Sequence, residues 1–104
     1  VYFVLEEDGE VVGYAGMWQI LDEGDINNIG VLLKKRRKGY GDMLLKRLIS
    51  YMEENKLNCL NLEVRASNYA AIALYKKHDF YETGIRKKYY EGREDALLFR
   101  RDRL

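Results

Sequence analysis

Between Gly41 and Glu54 the residues Met43, Leu44, Leu45, Leu48, Ile49 and Met52 recur at helical spacing, and charged Asp42, Lys46, Arg47, Glu53 and Glu54 fill the positions between them. That is one amphipathic helix with a single apolar stripe, so it must lie on something. The residues before it, Ile26 to Leu33, read as a strand. Between strand and helix stands Arg36-Arg37-Lys38-Gly39-Tyr40-Gly41. The first backbone N–H groups of a helix have no internal partner, and the helix dipole favours negative charge there. Two glycines and three cations at such a junction suit an anion such as a phosphate, because glycine lets the anion approach the backbone closely. A glycine-containing loop carrying a solvated basic run has the same composition, so the loop alone leaves both readings open.

The rest of the chain supplies strands and a second helix. Tyr2-Phe3-Val4-Leu5 and Val11 to Ile20 are β-rich, and Asp8-Gly9 between them signals a hairpin. Asp22 to Asp25 reads as an acidic turn. Cys59 to Arg65 alternates, with Leu60, Leu62 and Val64 on one face and Asn61, Glu63 and Arg65 on the other. Ser67 or Asn68 can cap a short helix running to about Lys77. Phe80 to Arg86 and Ala96 to Arg101 form a last strand pair, joined by a polar, tyrosine-bearing connection from Lys87 to Asp95. The order β-β-β-α-β-α-β-β predicts one α/β (α+β) domain over residues 1–104, a mixed sheet with helices packed on it.

Composition narrows the function classes. A net charge of +1 gives no global attraction to nucleic acid or membrane, although Lys34 to Lys38 is five cations in a row. That run lacks interleaved aromatics, which disfavours nucleic acid, and no apolar run reaches the length of a membrane span. One cysteine excludes an internal disulfide and fits a reducing compartment, so a cytoplasmic protein is expected. Cys59 with the single histidine, His78, makes no typical zinc site, and no metal is expected. Gly39-Tyr40-Gly41 is not followed by Lys-Ser/Thr, which disfavours a Walker-type nucleotide site.

The segment Glu63-Val64-Arg65-Ala66-Ser67-Asn68, then Ala70-Ala71-Ile72-Ala73-Leu74-Tyr75, joins the Arg-x-x-Gly-x-Gly loop at 36–41 and Tyr89-Tyr90 followed by Glu94-Asp95-Ala96. In this order and spacing the chain resembles the GNAT acetyltransferases, and within them the RimI-type protein N-terminal (ribosomal-protein alanine) acetyltransferases. The resemblance implies a mostly antiparallel sheet, splayed at the cofactor site and flanked by helices. It implies acetyl-CoA bound through the backbone around Arg36, Arg37, Lys38, Gly39, Tyr40 and Gly41, with the pantetheine arm beside Ile29, Gly30 and Val31. It further implies Asn68 contacting the cofactor, Glu63 as general base, Tyr75 as general acid, and Tyr89 and Tyr90 gripping the acceptor peptide. Three departures stand out. The family usually opens with a strand and two helices that this chain lacks, so a shortened domain is expected. Leu33 stands where the family usually has proline, and Asp79 where glycine usually ends the short helix.

The residue types alone leave room for other roles. Glu63 could pair with Arg65 or a nearby lysine, Tyr75 could be a core tyrosine, and Tyr89 and Tyr90 could cover apolar surface. Cys59 reads as a buried small residue rather than a nucleophile. The acceptor implied by the resemblance is a protein N-terminal amine. Alternatives are a small-molecule amine, a lysine side chain, or a non-catalytic acyl-CoA-binding module.

Overall fold

The computed structural model describes residues 1–36 and 39–103. The elements are β1 (Tyr2–Glu7), β2 (Glu10–Ile20), β3 (Glu23–Val31), a 3-10 turn (Leu33–Lys35), α1 (Tyr40–Glu54), β4 (Cys59–Arg65), α2 (Tyr69–Lys77), β5 (Tyr81–Tyr90) and β6 (Glu94–Asp102). They form one six-stranded sheet in the order β1-β2-β3-β4-β6-β5. Every neighbouring pair is antiparallel except β3 and β4. A parallel pair needs a crossover, and the crossover here is α1.

Three boundaries differ from those expected. The turn before β3 is Leu21-Asp22, not Asp22 to Asp25, and Glu23, Gly24 and Asp25 pair across to Ile20, Gln19 and Trp18. Two acids can stand in a strand here because polar neighbours meet them: Asn61 Nδ2 donates to Glu23 Oε1 at 2.9 Å and to Asp25 Oδ1 at 3.3 Å. β3 ends at Val31 rather than Leu33, since the chain tightens into the 3-10 turn. Tyr89 and Tyr90 lie at the end of β5 rather than in a loop, because the hairpin closes in the short turn Glu91-Gly92-Arg93, with Tyr90 opposite Glu94.

The apolar stripe of α1 packs across β1, β2, β3 and β4. Leu44, Leu45, Leu48 and Met52 are buried with Ala15, Met17, Leu60, Leu62, Val64, Phe80 and Phe99, whereas Met43 lies half exposed at the first turn. Asn68 caps α2, its Oδ1 accepting from Ala71 N at 3.3 Å. At the other end Asp79 takes the left-handed conformation (φ 68°) that glycine would adopt more cheaply. Arg101, buried, donates to His78 O at 2.8 Å and so satisfies a terminal carbonyl of α2. On the opposite side of the sheet Tyr2, Val4, Tyr14, Trp18 and Ile20 are exposed.

Both helices lie on the same face and are clasped through Asp42 in the first turn of α1. Its Oδ1 meets His78 Nε2 at 2.6 Å and Lys77 Nζ at 3.2 Å, and its Oδ2 meets Lys46 Nζ at 3.1 Å. These contacts, the His78 bond foremost, hold the Asp42 carboxyl well below the usual carboxylate range. A carboxyl with a depressed folded pKa stabilises the fold above its unfolded value, and that gain is lost as pH falls toward the folded value. Asp42→Asn is therefore expected to lower the melting temperature at pH 7, with the gap to the parent narrowing below about pH 4. A gap that stayed constant down to pH 3 would show that the charge of Asp42 contributes nothing.

Candidate active site

The site begins where a ladder stops. β3 and β4 pair only from Glu23 opposite Cys59 to Ile26 opposite Leu62. At that point β3 carries an extra residue: Gly16 of β2 faces Asn28 while Met17 faces Ile26, so Asn27 bulges. A bulge bends its own strand and strengthens the local twist. β3 therefore turns away from β4, and Asn27 to Val31 on one side and Glu63 to Arg65 on the other border a gap in the sheet. This is the expected splaying.

The backbone along the gap has a defined polarity. Leu32 N donates to Val12 O at 2.9 Å, so Leu32 points toward β2. Alternation then turns the N–H groups of Val31 and Ile29 away from β2, into the gap, and Gly30 toward β2. Val31 O accepts from Arg36 Nε at 3.3 Å, which fits that direction. Ile29 and Val31 thus border the gap with backbone that β4 does not pair.

The gap leads to the N-terminus of α1. Gly39 is the N-cap in the left-handed conformation (φ 79°), and a Cβ built on it would meet nothing within 4 Å. A Cβ at Gly41 would meet only Leu74, at 3.5 Å. The backbone at Gly39, Tyr40 and Gly41 is therefore uncrowded, as an anion approaching the first-turn N–H groups requires. Arg37 and Lys38, expected to contribute here, lie outside the described residues. The basic run is not a single patch. Lys34 Nζ pairs with Glu10 at 3.5 Å, and Lys35 Nζ pairs with Glu7 at 2.6 Å, tying the run to the β1–β2 hairpin. That pairing weakens the case for the run as a nucleic-acid surface.

On the sheet face away from the helices an open cleft of about 610 Å³ lies against the gap. Glu63, Asn61, Asp25, Thr83, Arg86, Tyr89 and Tyr90 line it, and Leu98, opposite Glu63 on β6, adds apolar surface. Glu63 points into this cleft as its strand parity requires, and its partner is Arg86 (Nη1–Oε1 3.3 Å), not Arg65. Arg65 instead pairs with Glu94 at 3.3 Å and covers the Tyr90 ring at 4.2 Å. Tyr89 and Tyr90 meet edge to face at 5.2 Å. The structure thus brings Glu63, Tyr89 and Tyr90 together. Arg86 was not singled out by sequence: one arginine in a basic stretch carries no signal until β5 is paired with β6.

Tyr75 lies elsewhere, on the helix-covered face. Its ring packs on Phe80 at 5.7 Å and Phe99 at 6.5 Å, and burial pushes its phenol up, so it stays protonated at neutral pH. It does not line the cleft that holds Glu63. Asn68, on the same side, uses Oδ1 as the α2 cap and keeps its amide nitrogen as a donor. Cys59 is fully buried, its thiol donates to Glu23 Oε1 at 3.2 Å, and burial pushes it up to about 11. A thiol in that state is a poor nucleophile at neutral pH.

Known proteins resemble this chain in sequence and fold. Residues 1–80 match the model of the acetyltransferase (GNAT) family. The ribosomal protein bS18-alanine N-acetyltransferase of Escherichia coli (strain K12) is 43% identical over 99 residues, covering 92% of this chain and 67% of that protein. A Bacillus subtilis (strain 168) relative, provisionally given the same name, is 40% identical over 98 residues, covering 93% of this chain and 65% of its own length. The crystal structure of the ribosomal-protein-S18-alanine N-acetyltransferase from Escherichia coli superimposes with a TM-score of 0.92 at 42% identity, over 96% of this chain and 66% of that one. The chain spans about two thirds of the length of these relatives. With its single parallel strand pair parting beside the N-terminus of α1, this chain belongs to the GNAT acetyltransferase family.

Proposed function

We propose that this protein is an acetyl-CoA-dependent N-acetyltransferase whose acceptor is a protein N-terminal α-amine of the ribosomal-protein type. The observation that carries the reading is the convergence of three features at one break in the sheet: an uncrowded helix N-terminus, unpaired strand backbone, and a carboxylate-bearing cleft beside it. The names of the relatives support the choice of acceptor. The free, buried Cys59 supports a reducing compartment, and we assign the protein to the cytoplasm.

Bound acetyl-CoA supplies the acyl thioester. The backbone at Arg36, Gly39, Tyr40 and Gly41 would hold the pyrophosphate, with Arg37 and Lys38 assigned to the same role by the family resemblance, and Ile29 to Val31 with Asn68 would orient the remainder. Val31 N–H, aimed into the gap, donates to the carbonyl oxygen as charge develops there, a preorganised dipole rather than one that must reorient. Glu63 takes the proton of the acceptor ammonium, directly or through one water. An N-terminal amine has an ordinary pKa of about 8, so little proton-transfer driving force is needed. Tyr75, kept protonated by burial, gives its proton to the departing thiolate, whose thiol ordinarily titrates at about 8.5. Tyr89 and Tyr90 grip the acceptor backbone at the mouth of the cleft. The amine attacks the thioester directly, since Cys59 is in no state to carry the acyl group.

Two measurements test this. Acetyl-CoA is expected to raise the melting temperature by mass action, and Gly41→Val to abolish that rise, since the protein side leaves room for the side chain and the anion does not. A melting temperature unmoved by millimolar coenzyme A would sink the cofactor assignment. Glu63→Gln is expected to leave that rise intact and to slow acetyl transfer to an alanine-terminated peptide by roughly 10²–10⁴-fold. The deficit should shrink at high pH, where the amine is already neutral. An undiminished rate at pH 7 would make Glu63 a structural residue.

A further inference from the structure

Glu63 is the first member of a continuous chain of contacts. Its Oε1 meets Arg86 Nη1 at 3.3 Å. The Arg86 guanidinium lies over the Tyr89 ring at 5.3 Å, and Tyr89 meets Tyr90 edge to face at 5.2 Å. Tyr90 lies under Arg65 at 4.2 Å, and Arg65 pairs with Glu94 Oε1 at 3.3 Å. Glu94 Oε2 accepts from Ser67 N at 2.9 Å, which anchors the chain to backbone just before α2. The two carboxylates at its ends and the two arginines inside it balance in charge.

Taking Glu63 as the general base, we propose that Arg86 is its positioning residue, a guanidinium that rests on Tyr89 and holds one carboxylate oxygen so that the other faces the acceptor amine. Arg86 Nη1 pairs with Oε1, and a carboxylate has acceptor sites on both oxygens. The proposal assigns Oε2 to the proton. A glutamate side chain that no group holds samples many rotamers, and a misplaced base transfers a proton poorly. Arginine suits the task because its planar group hydrogen-bonds in its plane while its face lies on an aromatic ring; lysine retains only the charge. Tyr89 is one of the residues assigned to grip the acceptor, so the same guanidinium joins the acceptor-holding surface to the base.

The test is steady-state kinetics with acetyl-CoA and an alanine-terminated peptide, for the parent, Arg86→Met, Arg86→Lys, Glu63→Gln and the double variant Arg86→Met with Glu63→Gln. Arg86→Met keeps the aliphatic stem at an exposed position, and an unchanged melting temperature verifies the fold. It is expected to lower kcat by roughly 10–10²-fold, the usual effect of a misplaced catalytic group, with the KM for acetyl-CoA unchanged. Arg86→Lys should recover part of the loss. In the Glu63→Gln background Arg86→Met should cost nothing further, because residues acting as one unit are non-additive. An equal loss in both backgrounds, an unchanged kcat, or an effect confined to the KM for the peptide would overturn the inference. Carboxyl-carbon NMR reads the same pairing without turnover: Arg86→Met must increase the mobility of the Glu63 side chain, and unchanged mobility also overturns it. Parent protein that held Glu63 rigid yet transferred no acetyl group would instead count against the acetyltransferase reading.

Discussion

The parallel ladder between β3 and β4 is four residue pairs long, and the rest of the site depends on where it ends. Had it run on past Ile26, the backbone of Ile29 and Val31 would be taken up by β4 and Glu63 would sit in a closed sheet. The bulge at Asn27 prevents this with one inserted residue. α1 leaves β3 and returns the chain to β4, so the same stretch that makes the pair parallel also delivers a helix N-terminus to the point where the strands part. Unpaired strand backbone and a nearby helix N-terminus are thus two outcomes of one topological choice.

Several acids on this face have named partners. Glu23 is met by Asn61, Glu63 by Arg86, and Glu94 by Arg65 and Ser67 N. Hydrogen bonds, from Asn61 to Glu23 and from Ser67 to Glu94, are the leading cause that holds these two carboxyls below their ordinary range. A face with so many paired groups presents few uncompensated charges to an arriving peptide. Under the proposed function, recognition of the acceptor would fall to shape and to the aromatic pair.

Much of this was legible in the sequence because it rests on periodicity. The stripe of α1, the alternation of Cys59–Arg65 and a cap at Ser67 or Asn68 are local patterns, and local patterns are what sequence displays. What was not legible depends on neighbours. Glu23 and Asp25 looked like a turn because acids are poor strand formers, and only Asn61, thirty-six residues beyond Asp25, makes them acceptable there. Tyr89 and Tyr90 looked like loop residues because the glycine turn that closes their hairpin lies just beyond them. Lys34 and Lys35 read only as part of a basic run, and their partners Glu10 and Glu7 come alongside only when the β1–β2 hairpin folds. Tyr75 and Glu63 were assigned complementary roles by motif, yet they lie on opposite faces of the sheet, and no spacing along the chain could show that.

The short parallel ladder also divides the molecule mechanically. On one side stand β1, β2 and β3, on the other β4, β6 and β5, each an antiparallel set. Four residue pairs and the underside of α1 are the principal seam between them. One buried core, with Met17, Leu45, Leu48, Leu60, Leu62 and Phe99 among its members, spans both sets and closes the seam from the helix side, whereas β5 at the sheet edge has no buried residue. A molecule that lays its own chain along β3 in the gap lengthens that seam. A ligand held there would touch both sets of strands at once.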